Sequence, residues 1–163
     1  IYGEYTNLVE PYGCDEAWLD VTDSTVLKGG GRKIAEEISR RVKRELGITV
    51  SIGISWNKIF AKLGSDYKKP DGIKAFTKEN YKELLWRLPA ADLLYVGRST
   101  RNTLNRYGIK TIGELALSDP KFLERLLGKM GLVLYTFANG LRQLCPKTYE
   151  NRRSVMLILY LKT

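Results

Sequence analysis

The chain has 163 residues, of which 44% are hydrophobic and 28% are charged, and its formal net charge is +9. This composition is typical of a globular protein and excludes a disordered, collagen-like or membrane-embedded chain. There is no histidine, and Cys14 and Cys145 are far apart in sequence, which excludes a histidine-dependent triad and a zinc site with four of the usual ligands. Catalysis would have to depend on carboxylates, and we expect a reducing, cytoplasmic location with no membrane association.

Positive charge is concentrated in the second half of the chain. Residues 1–90 contain 15 basic and 13 acidic residues, a net charge of +2, whereas residues 91–163 contain 12 and 5, a net charge of +7. The change coincides with Leu88–Pro89, where we predict a domain boundary, with a second domain over 91–147 and a linker or additional strand over 148–163. Such an excess favours a polyanionic partner, although scattered surface lysines and arginines would also keep a protein soluble.

The first elements along the chain form a predicted β-hairpin followed by a helix. Strands are predicted at Tyr5–Glu10 and Glu16–Thr22, separated by the turn residues Pro11–Gly13. Apolar residues then recur at helical spacing over Arg32–Leu46, and Gly47 is a suitable helix end. The three glycines immediately before this helix suggest a flexible loop.

The chain continues with alternating strands and helices up to the predicted boundary. Ile48–Ser55 alternates in polarity and predicts a strand with one buried face, and Asn57 can cap a helix that extends to Asp66. A turn, a short strand and another helix are predicted at 68–72, Ile73–Phe76 and Lys78–Leu88, respectively. The predicted class is α+β with an antiparallel sheet.

The second half is predicted to be entirely helical up to about residue 140. Short helices punctuated by glycines are indicated at Asp92–Leu94, Thr100–Tyr107, Ile112–Leu117, Pro120–Leu127 and Leu132–Asn139. Near the end, Val155–Leu161 is a continuous apolar run that suits a buried strand. We expect this segment to add to an open sheet edge, in its own chain or by self-association with a neighbouring chain.

Two adjacent acids at the hairpin turn, Asp15 and Glu16, are the clearest candidates for chemistry. Neighbouring carboxylates repel one another, and a hard divalent ion such as Mg²⁺ or Mn²⁺ would relieve this repulsion. Adjacent residues on a regular strand point to opposite faces, so both can converge only at a turn or bulge. An isolated acidic pair is also compatible with a solvated turn. Asp20 is interpreted as a structural residue.

Three stretches of the first half carry a resemblance to a known family. They are VEPYGCDEAWLDVT at 9–22, GISWNKIFAKL at 53–63 and KPDG at 69–72, and a fourth stretch, YGIKTIGELA, follows at 107–116. Together they resemble the Y-family (UmuC/DinB-type) lesion-bypass DNA polymerases, over most of the chain to about residue 145. The resemblance implies a partial palm domain followed by a small helical thumb of helix-hairpin-helix type.

The resemblance also implies roles for individual residues. Asp15 would bind the catalytic metals, Glu16 would bind the metal that activates the primer 3′-hydroxyl, and the reaction would be two-metal-ion nucleotidyl transfer to primer–template DNA. Lys69 would contact the triphosphate of the incoming deoxynucleotide. Lys58 and Lys62, at the start of the helix capped by Asn57, would add cations that favour an anion.

A glycine turn in the second half is the candidate DNA contact. Gly97, Arg98, Ser99 and Arg101 would present backbone N–H groups and positive charge to a DNA phosphate. The family pattern has a glycine two positions before Gly97, where this chain has Tyr95, so the approach of the backbone to the phosphate is expected to be altered.

The resemblance begins in the middle of the palm. The strand with the first metal-binding aspartate, the fingers and the little finger are not represented, so primer extension is not expected from these 163 residues alone. A sliding clamp and possibly a recombinase are partners implied by family likeness. Two other classes stay open: a noncatalytic helix-hairpin-helix DNA-binding module, and a palm-type nucleotide cyclase, in which a similar acidic hairpin occurs.

Overall fold

The computed structural model of the protein describes residues 1–141 and the backbone of the strand at 156–162. The chain forms two compact units, one built from 1–77 with the last strand and the other beginning at Lys78. This division lies before the predicted boundary at Leu88–Pro89. The difference arises because Trp86 packs within the helical unit, where its Nε1–H donates a hydrogen bond to the carbonyl oxygen of Ala138 at 3.2 Å.

The first unit is built on one five-stranded sheet. Its strands are β1 (Val9–Tyr12), β2 (Glu16–Asp20), β3 (Thr49–Ser55), β4 (Ile73–Ala75) and β5 (Met156–Lys162). They lie in the order β1-β2-β5-β3-β4, with every neighbouring pair antiparallel except β3 and β4, which are parallel. The predicted hairpin is confirmed, although its first strand begins at Val9 and a short 3₁₀ helix precedes it at Tyr2–Glu4.

Two sequence predictions about this sheet are corrected. The sheet is mixed rather than antiparallel, because a helix crosses from the end of β3 to the start of β4 and so returns the chain in the same direction. The apolar segment is a strand in the sheet of its own chain, as predicted, but this strand, β5, lies between β2 and β3 rather than at an open edge. Val155, its predicted first residue, is outside the described part of the chain.

Three helices belong to the first unit: α1 (Thr22–Lys28), α2 (Gly31–Leu46) and α3 (Lys58–Tyr67). The helices α2 and α3 were predicted within two residues, but α1 was not. The side chain of Asp20, just before α1, accepts a hydrogen bond from the backbone N–H of Thr22 at 3.0 Å, and Gly29 ends α1 with φ of 74°. Because α2 begins at Gly31, the three glycines are helix ends rather than a flexible loop.

The helices α2 and α3 cover opposite faces of the sheet. On the α2 face, the apolar residues of β2 and β3 pack against the apolar stripe of α2 in a core that contains Leu19, Ile34, Ile38, Ile52 and Ile54. On the other face Trp18 packs against Ala61 of α3. Both faces of β3 are therefore buried, whereas the sequence predicted one.

The second unit is helical over its described part. It contains α4 (Tyr81–Leu85), α5 (Arg98–Arg106), α6 (Ile112–Leu117), α7 (Pro120–Leu127) and α8 (Lys129–Ala138), with a 3₁₀ helix at Ala90–Asp92. The bounds of α6 and α7 are those predicted, since Thr111 and Asp119 cap their first turns. In residues 1–141 and 156–162, no helix combines the length and the apolarity needed to cross a bilayer.

A capping box at the start of α6 gives a pH prediction. The backbone N–H groups of Lys110 and Thr111 donate to the carboxylate of Glu114 and hold its pKa below the ordinary value. A lowered folded-state pKa stabilises the fold above about pH 4, and this contribution is lost as the pH falls through the folded-state value. We expect Glu114→Gln to reduce the loss of stability on acidification, measured by urea unfolding between pH 7 and pH 3. An unchanged pH profile would contradict this.

Candidate active site

The acidic pair lies where the β-hairpin turns. Gly13 has φ of 70°, a left-handed conformation that suits glycine, and Asp15 is the last turn residue before Glu16 opens β2. The side chain of Glu16 is only 9% exposed, and Asp15 is partly exposed. By alternation along β2, Glu16 and Trp18 point to the α3 face of the sheet.

Two glycines bring α3 close to this face. A Cβ atom on Gly53 of β3 would lie 1.8 Å from the carbonyl oxygen of Ala61, and one on Gly64 would lie 2.9 Å from the Cα atom of Gly53. The predicted cap is confirmed, since the side chain of Asn57 accepts a hydrogen bond from the backbone N–H of Phe60 at 2.8 Å. Helix and strand therefore contact each other through their backbones, which fixes the side chains that α3 directs towards β2.

Four alternating charges connect Glu16 to Lys69. The Nζ of Lys62 lies 2.8 Å from Oε1 of Glu16 and 3.0 Å from Oδ2 of Asp66. The other carboxylate oxygen of Asp66, Oδ1, lies 2.5 Å from Nζ of Lys69. The predicted triphosphate lysine and the acidic pair are thus joined through two residues of α3.

The ammonium group of Lys62 is largely enclosed. Its side chain is 16% exposed, and burial by itself would lower the pKa of the amine. The hydrogen bonds to Glu16 and Asp66 act in the opposite direction and prevail, so the pKa of Lys62 is raised. Lys62 is therefore a fixed positive charge between two carboxylates at neutral pH.

Lys58, four residues earlier on α3, pairs with a different acid. Its ammonium group contacts the carboxylate of Glu10 on β1 and lies 5.1 Å from the centre of the Trp18 ring. The indole N–H of Trp18 donates to the carbonyl oxygen of Lys58 at 3.2 Å. Both lysines that were expected to favour an anion at the start of α3 thus contact carboxylates of the hairpin.

The chemistry of the donor set fits a hard divalent ion. Asp15 and Glu16 offer only oxygen atoms, and Mg²⁺ takes one or two protein carboxylates and completes its shell with water and substrate phosphates. Among residues 1–141, no cluster of three or more aspartate, glutamate, cysteine or histidine side chains could hold a metal. The described residues therefore include two adjacent carboxylates at this turn, one of which is paired with Lys62.

The glycine turn of the second unit leads directly into α5. Gly97 is the N-cap residue, and a Cβ atom there would meet nothing within 4 Å. Gly97, Arg98, Ser99 and Arg101 are all exposed at this helix start. Tyr95, which replaces the glycine of the family pattern, adopts φ of 71°, a backbone conformation that favours glycine. Tyr95 therefore adopts a positive φ although it is not a glycine.

Sequence reasoning identified Glu16 and Lys69 but missed what joins them. Asp66 was read only as the end of a helix, and Lys62 only as a cation near a helix start. A local signal did exist, because Lys58, Lys62 and Asp66 recur every four residues and so share one face of α3. Only the packing of α3 against β2 shows which acids this face meets.

Comparisons with known proteins agree with the fold and the motifs. Residues 1–66 match the impB/mucB/samB family. The chain is 56% identical over 140 residues to DNA polymerase IV of Acetivibrio thermocellus. This alignment covers 86% of this chain and 35% of that protein. It is 43% identical over 157 residues to DNA polymerase IV of Ralstonia nicotianae, covering 95% and 44%, respectively. The chain thus spans less than half the length of these relatives.

Solved structures show the same likeness. DinB from Sulfolobus solfataricus aligns with a TM-score of 0.76 and 27% identity, covering 85% of this chain and 41% of that one. An insertion ternary complex of Dbh DNA polymerase aligns with a TM-score of 0.79 and 26% identity, covering 88% and 42%. The family match, the sequence relatives and the fold agree: the chain belongs to the Y family of DNA polymerases of the UmuC/DinB type.

Proposed function

We propose that this chain is the part of a translesion DNA polymerase that contains two of its palm carboxylates and its thumb, with the palm in the sheet-containing unit and the thumb in the helical unit that begins at Lys78. The longer polymerase would extend a primer past damaged template bases by two-metal-ion nucleotidyl transfer. Mg²⁺, or Mn²⁺ in its place, is the proposed metal. A cytoplasmic location, and recruitment by a sliding clamp or recombinase, are inferred from the family alone.

The observation that carries the proposal is the connection between the acidic pair and Lys69. A polymerase site needs carboxylates for the metal and a cation for the polyphosphate within reach of one nucleotide. The continuous contacts from Glu16 through Lys62 and Asp66 to Lys69 support this arrangement. A nucleotide cyclase would account for the acids but not for the similarity to DNA polymerases over both units.

In this reaction the bound metals would lower the pKa of the primer hydroxyl and stabilise the leaving pyrophosphate. Asp15 and Glu16 would hold those ions through their carboxylate oxygens. Lys69 would bind the triphosphate as a point charge and orient it. Its current partner, Asp66, is 42% exposed, so a polyphosphate arriving from solvent can compete for the ammonium group.

The turn before α5 would hold the DNA without reading its sequence. Backbone N–H groups at the exposed start of a helix favour a phosphate, and Arg98 and Arg101 add positive charge there. Contacts of this kind position a duplex and carry no base specificity. A polymerase must bind any sequence, so such contacts suit the proposed function.

A segment exchange tests the proposed function. DNA polymerase IV of Acetivibrio thermocellus matches this chain over 140 residues, and that segment can be replaced by the corresponding residues of this chain. We expect the hybrid to extend a primer in Mg²⁺ and to continue past a template lesion. A folded hybrid that binds DNA but adds no nucleotide would contradict the proposal.

The 163-residue chain allows a separate test of the DNA contact. We expect Arg98→Ala and Arg101→Ala each to weaken binding to a duplex of any sequence, and each to reduce the slope of log affinity against log salt by about 1. Fluorescence anisotropy across a salt series measures both quantities. Arg125→Ala, which removes an exposed arginine of α7, is the matched control. Equal effects of all three substitutions would contradict a specific contact at the turn.

A further inference from the structure

Within the row of four alternating charges, Lys62 contacts two carboxylates at once, which the proposed function does not explain. Lys62 donates to Glu16 at 2.8 Å while it also contacts Asp66 at 3.0 Å. Glu16 is 9% exposed and Lys62 is 16% exposed. Such enclosed charges are costly unless each has a partner of opposite sign, and here Glu16 and Lys62 are each other's partner.

A divalent ion at the acidic pair would compete with this ammonium group. Both cations need the carboxylate oxygens of Glu16, and their like charges repel each other at short range. Lys62 has a second carboxylate within reach, because Asp66 lies one helical turn further along α3. The ammonium group can therefore shift towards Asp66 without losing all of its compensation.

Asp66 in turn connects this shift to Lys69. Lys62 contacts both of its carboxylate oxygens, at 3.0 and 3.3 Å, and Lys69 contacts one of the two at 2.5 Å. When Lys62 turns wholly to Asp66, less of the negative charge of Asp66 is available to Lys69. The ammonium group of Lys69 then binds an incoming polyphosphate at a smaller cost.

We propose that Lys62 is a positioning residue that occupies the cation position of Glu16 until a divalent metal replaces it, and that Asp66 transmits this replacement to Lys69. The inference rests on the proposed metal site at Asp15 and Glu16. Metal binding and polyphosphate binding are coupled through Lys62 and Asp66, and the paired charges keep Glu16 in place when no metal is bound.

Mn²⁺ alone, titrated into the 163-residue chain and followed by electron paramagnetic resonance of the free ion, tests the first half of the proposal. Lys62→Met keeps the aliphatic packing and removes the competing charge, so we expect Mn²⁺ to bind about threefold to tenfold more tightly. Lys58→Met is the matched control. It also removes a positive charge from α3, but the native Lys58 pairs with Glu10 rather than with Glu16. Mn²⁺ affinity no higher in Lys62→Met than in Lys58→Met would overturn the proposal.

Asp66→Asn tests the second half of the proposal, the link from Lys62 through Asp66 to Lys69. This test does not depend on whether Lys62→Met folds. Without the negative charge of Asp66, Lys62 loses the carboxylate towards which it would shift, and the carboxylate that competes with polyphosphate for Lys69 is removed. We expect weaker Mn²⁺ binding and severalfold tighter binding of inorganic tripolyphosphate, measured by calorimetry. Asp71→Asn, which removes a neighbouring acid that pairs with Lys43, is the control. A merely structural role for Asp66 predicts that both affinities fall, and that result would contradict the proposed coupling.

Asp15→Ala separates this inference from the proposed function. If Asp15→Ala leaves the Mn²⁺ affinity unchanged, the metal site itself is absent, and both proposals fail. If Asp15→Ala weakens Mn²⁺ binding but Lys62→Met does not strengthen it, the metal site stands and only the role given to Lys62 is wrong.

Discussion

Asp15→Ala in the hybrid polymerase is expected to lower the rate of primer extension by roughly a thousandfold. Asp15 is a partly exposed acid at the hairpin turn, and its removal would leave Glu16, which is paired with Lys62, as the other carboxylate of the pair. A metal held by fewer charged oxygens both binds more weakly and positions the reacting groups less well. Single-turnover incorporation of one nucleotide at saturating Mg²⁺ measures the effect.

The control for this experiment is Glu124→Ala. It removes one negative charge from an exposed position on α7, in the helical unit. We expect its rate to stay within about twofold of the unsubstituted hybrid, since a single exposed charge that is not a proposed metal ligand contributes little. Primer extension that survives Asp15→Ala at the control rate would exclude this carboxylate from the chemistry.

Gly53→Ala is expected to cause a large loss of stability. The added Cβ atom would lie 1.8 Å from the carbonyl oxygen of Ala61 and 2.5 Å from the backbone nitrogen of Ser65. Backbone atoms of α3 cannot rotate away as a flexible side chain would, so the helix and β3 must separate. We expect a loss of about 3 kcal/mol or more in the free energy of unfolding, from urea denaturation followed by circular dichroism.

Gly3→Ala provides the comparison, because a Cβ atom at Gly3 meets nothing within 4 Å. Its unfolding free energy should change by no more than about 0.5 kcal/mol. If Gly53→Ala unfolded at the same urea concentration as Gly3→Ala, the close packing of α3 on β3 would be refuted. The position of Lys62 beside Glu16 depends on that packing.

Local patterns predicted the elements whose causes are local. The helix α2 was located by the spacing of its apolar residues, α3 by its cap at Asn57, and the hairpin by its proline and glycine. The helix α1 was missed because its sequence, rich in threonine, serine and aspartate, has weak helical preference. It is held instead by the hydrogen bond from Thr22 to Asp20 and by the glycines that follow.

Features that depend on contacts between distant elements were not predicted. The small residues Ser51 and Gly53 made one side of β3 look solvent-facing, whereas their size is what allows α3 to pack there. The parallel pairing of β4 and the internal position of β5 depend on which strand edges are available in the folded sheet. The same holds for the pairing of Lys62 with Glu16, which joins residues 46 positions apart in sequence.

The most direct test of the proposed metal site at Asp15 and Glu16 is to locate the metal itself. Crystals of the hybrid polymerase with primer–template, Mn²⁺ and a nonhydrolysable deoxynucleotide would show Mn²⁺ by anomalous scattering. The expected result is Mn²⁺ about 2.1 Å from carboxylate oxygens of Asp15 and Glu16, with Nζ of Lys69 at the triphosphate and Nζ of Lys62 moved towards Asp66. Mn²⁺ bound away from both acids, with Lys62 still on Glu16 and Lys69 still on Asp66, would contradict it.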